Sequence, residues 1–132
     1  MLNLLPSIAE DGSYNCHVKS VNSGDTFTCE NGIFTKIWGI KAPDIPPRVT
    51  EPIAVSNGGF TSRDYLKGYI LGETLICYPK GLIESGNLSQ CFKDLQVKTI
   101  DIADPLLIGG HAVELKNITK GYYSDPNRKR SE

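Results

Sequence analysis

The chain has 132 residues, enough for one domain that buries roughly two-thirds of its unfolded surface. Fourteen basic and fifteen acidic side chains leave a net charge of −1, so the basic excess of most phosphate-gripping proteins is missing and nucleic-acid binding is disfavoured, though not excluded. No run of about 18 apolar residues occurs, which excludes a membrane-spanning helix, and 13 Gly with 8 Pro point to a loop-rich fold containing β-structure.

Residues 1–12 read as a lead-in, with Leu2, Leu4, Leu5 and Ile8 available to pack on the body. The opening MLNLLPSIAE lacks the basic n-region and apolar length of a signal peptide. The compartment stays open between the cytoplasm and export by a signal outside this sequence. Residues 13–21 alternate with period two and predict a strand. Strands over 25–30 and 33–40 follow, joined through Asn31-Gly32, a strong hairpin signal.

Three prolines and two glycines make 45–60 a predicted loop. Thr61-Ser62-Arg63-Asp64 has the form of a capping box, and Tyr65, Leu66, Tyr69 and Ile70 continue at helical spacing to a stop at Gly72. Residues 73–79 predict a fourth strand, 80–89 a loop, and 90–98 a fifth strand. Asp104-Pro105 sets an N-cap before a short helix that Gly109-Gly110 ends. The last dozen residues are polar and aperiodic and predict a frayed tail. Its Arg128-Lys129-Arg130 run reads as a solvated terminus rather than a binding patch.

Cys16, Cys29, Cys77 and Cys91 form no C-x-x-C pair, so zinc chelation is disfavoured. All four fall in predicted strands, where buried free thiols are the favoured state. A Cys16–Cys29 disulfide across the first hairpin is open if the compartment is oxidising.

Three strands, a helix, two strands and a helix is the order of a five-stranded OB-fold Greek-key barrel. The fold class is then mainly β with α, carrying two or three helices. The order alone does not separate this from other small α+β folds. Two blocks do. Ser23–Asp44, SGDTFTCENGIFTKIWGIKAPD, gives a Gly-Asp turn, two strands and a Pro-acid exit. Asp101–Val113, DIADPLLIGGHAV, gives an aspartate, an apolar helix and a Gly-x-Ala. Together these resemble the staphylococcal-nuclease (thermonuclease-like) family over roughly residues 14–115. The resemblance implies a nuclease-like domain over 13–119, flanked by the lead-in and a polar tail at 120–132.

That family's chemistry is calcium-assisted phosphodiester cleavage, with carboxylates holding the cation and arginines neutralising the phosphorane. By the resemblance, Asp25 is the first metal carboxylate; the plainer alternative is a turn aspartate capping amides. Asp44 falls where a glutamate handles the water but is one methylene shorter. Lys36 takes the first phosphate arginine's place, catalytic and nucleic-acid-binding, without the planar fork. Ala42 offers a backbone carbonyl to the metal. Gln90, or Lys93 with the loop shifted, falls where the second arginine belongs, and no arginine occurs between Arg63 and Arg128.

Lys41 is the main departure, since it replaces the second metal carboxylate. Two unit charges 4 Å apart interact by roughly 4 kcal/mol at an effective dielectric near 20, and a dication doubles this. An ammonium there turns attraction into repulsion, so calcium is doubtful. His17 and His111, without partner motifs, read as structural.

Three functions fit these residues. The favoured one is a nuclease-like module that has lost catalysis and binds single-stranded DNA or RNA, or a protein. The alternative is an active phosphodiesterase with a rearranged, calcium-dependent or metal-independent site. The third is a protein-interaction domain with no nucleic-acid role.

Overall fold

The computed structural model describes residues 12–45 and 53–128, with the side chains of 53–57 left out. The proposed packing of Leu2, Leu4, Leu5 and Ile8, the loop over 46–52 and Lys129-Arg130 lie outside the described residues.

Eleven elements follow one another. They are β1 (Tyr14–Ser23), β2 (Thr26–Cys29), β3 (Phe34–Ile37), β4 (Ile40–Lys41), α1 (Ile53–Ile70), β5 (Thr74–Ile83), β6 (Gly86–Asp94), β7 (Thr99–Asp101), α2 (Ala103–Ile108), β8 (Val113–Glu114) and α3 (Lys116–Thr119). The main sheet runs β3-β2-β1-β5-β6-β7, and a parallel β3–β6 pairing closes it on itself. β1, β2, β3, β5 and β6 thus form the closed five-stranded OB barrel. β7 extends β6, and β4 pairs with β8 in a small second sheet.

Alternation fills the barrel, because successive side chains on a strand point to opposite faces. Tyr14, Cys16 and Val18 of β1, Phe27 and Cys29 of β2, Ile37 of β3, Leu75 and Cys77 of β5 and Cys91 of β6 turn inward. Leu66 and Ile70 of α1 and Leu106 of α2 close over them. Each fully buried large apolar side chain stabilises the fold by roughly 1.5–3 kcal/mol. The interior also holds hydroxyls: Tyr14 Oη meets Thr35 Oγ1 at 3.0 Å and Ser89 Oγ at 2.8 Å. No helix among the described residues is long and apolar enough to cross a membrane.

The favoured free-thiol state is corrected. Cys16 bonds Cys29 across β1–β2, and Cys77 bonds Cys91 across β5–β6. The register explains both pairs. Cys77 and Cys91 are direct cross-strand partners, while Cys29 sits opposite Val18, two residues along from Cys16.

Several element boundaries differ from expectation. α1 begins at Ile53, so Thr61 lies inside a helix rather than at its cap. The expected breaker, Gly58-Gly59, permits close packing instead. A Cβ on Gly59 would stand 2.2 Å from the Asp44 carbonyl oxygen, so glycine lets the 43–45 segment cross the helix. The expected 80–89 loop is mostly strand, since β5 and β6 pair as far as Ile83 opposite Gly86. The 33–40 strand breaks at Gly39, whose φ is +85°.

The expected N-cap Asp104 lies in the first turn of α2, and Asp101 accepts the Ala103 N–H at 3.0 Å instead. The tail is corrected over 121–128: Tyr123 is buried, the Arg128 side chain is 8% exposed, and its Nη2 donates to Asp104 Oδ1 at 2.6 Å. Aromatic rings in a polar run supply the burial that aperiodicity concealed.

Candidate functional site

The turn after β1 sets the site. Gly24 packs against the β4 exit and α1 so closely that a Cβ there would sit 2.7 Å from both Ala42 Cβ and Ser62 Cβ. This approach carries the Asp25 carboxylate, only 4% exposed, to the backbone of Ala42. Asp25 Oδ2 accepts the Ala42 N–H at 3.0 Å, and Oδ1 accepts the Ser23 hydroxyl at 2.9 Å. The Asp25 carbonyl accepts the Ile37 N–H at 2.8 Å. Lys36 Nζ stands 3.7 Å from Asp25 Oδ2, a contact set by the hairpin register that places Lys36 opposite Thr26.

Lys41 projects from β4, and its ammonium is ion-paired with Asp44 Oδ1 three residues on. The hydrogen bond to Asp44 holds the Lys41 ammonium above its ordinary pKa. Reciprocally, the bond from Lys41 holds the exposed Asp44 carboxyl below its ordinary value. Asp25, Lys36, Lys41 and Asp44 therefore form two ion pairs whose formal charges cancel.

A calcium ion takes about six to eight oxygen ligands. Here the buried carboxylate is already engaged by an amide, a hydroxyl and a lysine, and the next position along carries an ammonium. Ala42 turns its N–H toward Asp25. Among the described residues, no group of three or more His, Cys, Asp or Glu could hold a metal ion. These residues do not fit calcium.

The structure thus gathers Asp25, Lys36, Lys41, Ala42 and Asp44, and it holds Gln90 and Lys93 elsewhere. Gln90 is buried, and its Nε2 donates to Asp101 Oδ2 at 2.8 Å. Lys93 lies five residues beyond Leu88, the β6 partner of Lys36, a strand distance of about 17 Å. It donates to the Tyr69 carbonyl at 2.9 Å and sits 4.5 Å from that ring's centroid. Neither is presented to a phosphate at Asp25.

A groove of about 340 Å³ runs beside the ion pairs, between Lys41–Asp44 and Gly110–Val113. His111 lines it and stacks on Tyr65 at 4.1 Å. His17 bonds Thr74 Oγ1 at 2.9 Å on the barrel exterior. Both are held by packing or strand contacts.

Two groups of residues escaped the sequence. Ser23 orients Asp25, and the Ser-x-Asp spacing of an ST-turn is its only signal. Tyr122, Tyr123 and Arg128 assemble with Gln90, Asp101 and Asp104, signalled only by the Tyr-Tyr pair in the tail. Tyr123 Oη donates to Asp101 Oδ2 at 2.8 Å. Burial raises the Asp101 pKa, against the lowering effect of its hydrogen bonds from Gln90, Ala103 and Tyr123, and nearby Asp104 raises it further.

A folded carboxyl with a raised pKa holds its proton where the unfolded chain has lost it. Its contribution is complete below about pH 3.9 and is lost as pH rises through the folded value. Asp101→Asn removes that titration. The stability of the variant relative to the parent should therefore rise with pH, by at most about 1.4 kcal/mol per unit. Urea unfolding of both proteins from about pH 4 to 7 checks this, and a constant difference would refute it.

No family model matches this chain, and no curated protein matches it.

Proposed function

We propose that the chain is a staphylococcal-nuclease-like barrel that has lost calcium-assisted cleavage and serves as a binding module. The observation that carries this reading is the ion-paired cluster. The cluster's buried carboxylate, Asp25, is occupied from within, and Lys41 stands paired with Asp44 where the resemblance calls for a metal carboxylate. The Lys41–Asp44 pair is exposed and weak, but its carboxylate offsets the lysine's charge toward a phosphate.

The same cluster bears on the partner. Lys36, Lys41 and Lys93 are each engaged within the chain, and the net charge is −1. Phosphate-driven affinity depends on free cations, so a protein partner is favoured over single-stranded DNA or RNA. The two buried disulfides support residence in an oxidising compartment.

The test is hydrolysis of single-stranded DNA and RNA with and without calcium, with Asp25→Ala in parallel. Cleavage no faster than a buffer blank is expected. Cleavage that the substitution abolishes would establish the alternative, an active phosphodiesterase with a rearranged site.

A further inference from the structure

Residues 121–128 follow α3 and lie over the outer face of β6 and β7 without joining the sheet. Among the described residues, the backbone hydrogen bonds of this segment are local: Tyr122 N–H to Thr119, Ser124 N–H to Gly121 and Arg128 N–H to Asp125. Its attachments to the body run through side chains. Tyr123 Oη donates to Asp101 Oδ2 and Arg128 Nη2 to Asp104 Oδ1, while Gln90 Nε2 lies 3.4 Å from Tyr122 Oη. The Tyr123 N–H donates to Glu114 Oε2 at 2.9 Å. The rings of Tyr122 and Tyr123 each pack 6.0 Å from Trp38, and the Arg128 guanidinium lies over both tyrosines.

Arg128 holds this attachment through its ion pair and ring contacts, at a desolvation cost. Arg128 is almost fully buried with Asp104, and its Nε is buried without a hydrogen-bond partner. Taking a guanidinium out of water offsets much of what its ion pair gains, and an unsatisfied buried donor adds to the cost. The barrel beneath is tied by strand ladders and two disulfides. Tyr123 anchors the segment in the core, but with only local backbone bonds it has no ladder to break when it parts from such a base.

We propose that residues 121–128 form a detachable strap, which opens while the barrel stays folded and uncovers Trp38, Gln90 and Asp101. The surface it frees continues an open groove of about 450 Å³ that already includes Ile76, Tyr78, Gln90, Phe92 and Thr99. Closed, the strap shortens that surface; open, it extends it toward β3. What the opening regulates rests on the binding-module reading, whereas the opening itself does not.

Native-state hydrogen exchange on the unmodified protein tests this. The Tyr123 amide should exchange at least ~100-fold faster than the β6 amide of Cys91, by an opening that responds little to low denaturant. Trp38 is the only tryptophan, so it reports the strap independently. Arg128→Ala should shift its emission to the red and raise acrylamide quenching about two-fold, with Cys91 protection retained. Equal exchange free energies for Tyr123 and Cys91 would overturn the proposal. So would a folded Arg128→Ala protein whose Trp38 quenching is unchanged. Neither result depends on whether the barrel cleaves or binds anything.

Discussion

Reduction of both disulfides is expected to unfold this barrel near body temperature. Cys16–Cys29 spans 13 positions and Cys77–Cys91 spans 14. In the chain-entropy model, each closed loop of about 15 residues constrains the unfolded state by roughly 3 kcal/mol. Together they contribute about 6 kcal/mol, against a usual total of about 5–15 kcal/mol for a domain. The bridges also link the strand pairs β1–β2 and β5–β6, which build four of the five barrel walls. All four cysteines are fully buried, so reduction should be carried out in denaturant before refolding. The melting temperature should fall by about 20 °C for a chain of this size. Coincident melts of the oxidised and reduced proteins, with free thiols titrating in the starting sample, would contradict the assignment.

The second large effect concerns calcium. Lys41→Asp combined with Asp44→Glu should create a calcium site that the parent is expected to lack. The first change removes the ammonium and supplies a second carboxylate near Asp25, and the second lengthens the acidic arm by one methylene. Converting cation–cation repulsion to attraction reverses the sign of the largest electrostatic contribution there. Titration calorimetry should give a dissociation constant of about 10⁻⁴–10⁻³ M for the variant, as for weak extracellular calcium modules. The parent should give no binding heat over that range. Equal affinity in the two proteins would mean that Lys41 does not govern the site.

The barrel was legible because residues 13–21 carry period-two alternation and the hairpin after them carries Asn31-Gly32 with Gly24-Asp25 before it. These signals are local, and so is the Lys36 register that puts an ammonium beside Asp25. Long-range contacts account for what was missed. Gly58 and Gly59 read as breakers because their value lies in a segment crossing fourteen or more residues away in sequence. Asp104 read as a cap because its partner is Arg128, far down the chain. Gln90 read as a phosphate contact because nothing near it in sequence announces Asp101 or Tyr122. The thiol state hinged on pairing register: one bridge was open as an alternative, and Cys77–Cys91 became visible only once β5 and β6 were aligned.

The site divides in the same way. Charge types along Ser23–Asp44 already set a cation against the expected metal position. What the structure adds is occupancy, since Asp25 is engaged by Ala42, Ser23 and Lys36, and Lys41 by Asp44. Within the cluster the formal charges cancel, one pair buried at Asp25 and the other exposed at Asp44.

The most direct measurement is the rate of single-stranded DNA and RNA cleavage by the purified protein, with calcium present and with calcium chelated. Rates equal to a buffer blank are expected under both conditions. Calcium-dependent cleavage well above the blank, and lost on Asp25→Ala, would contradict the loss of calcium-assisted cleavage.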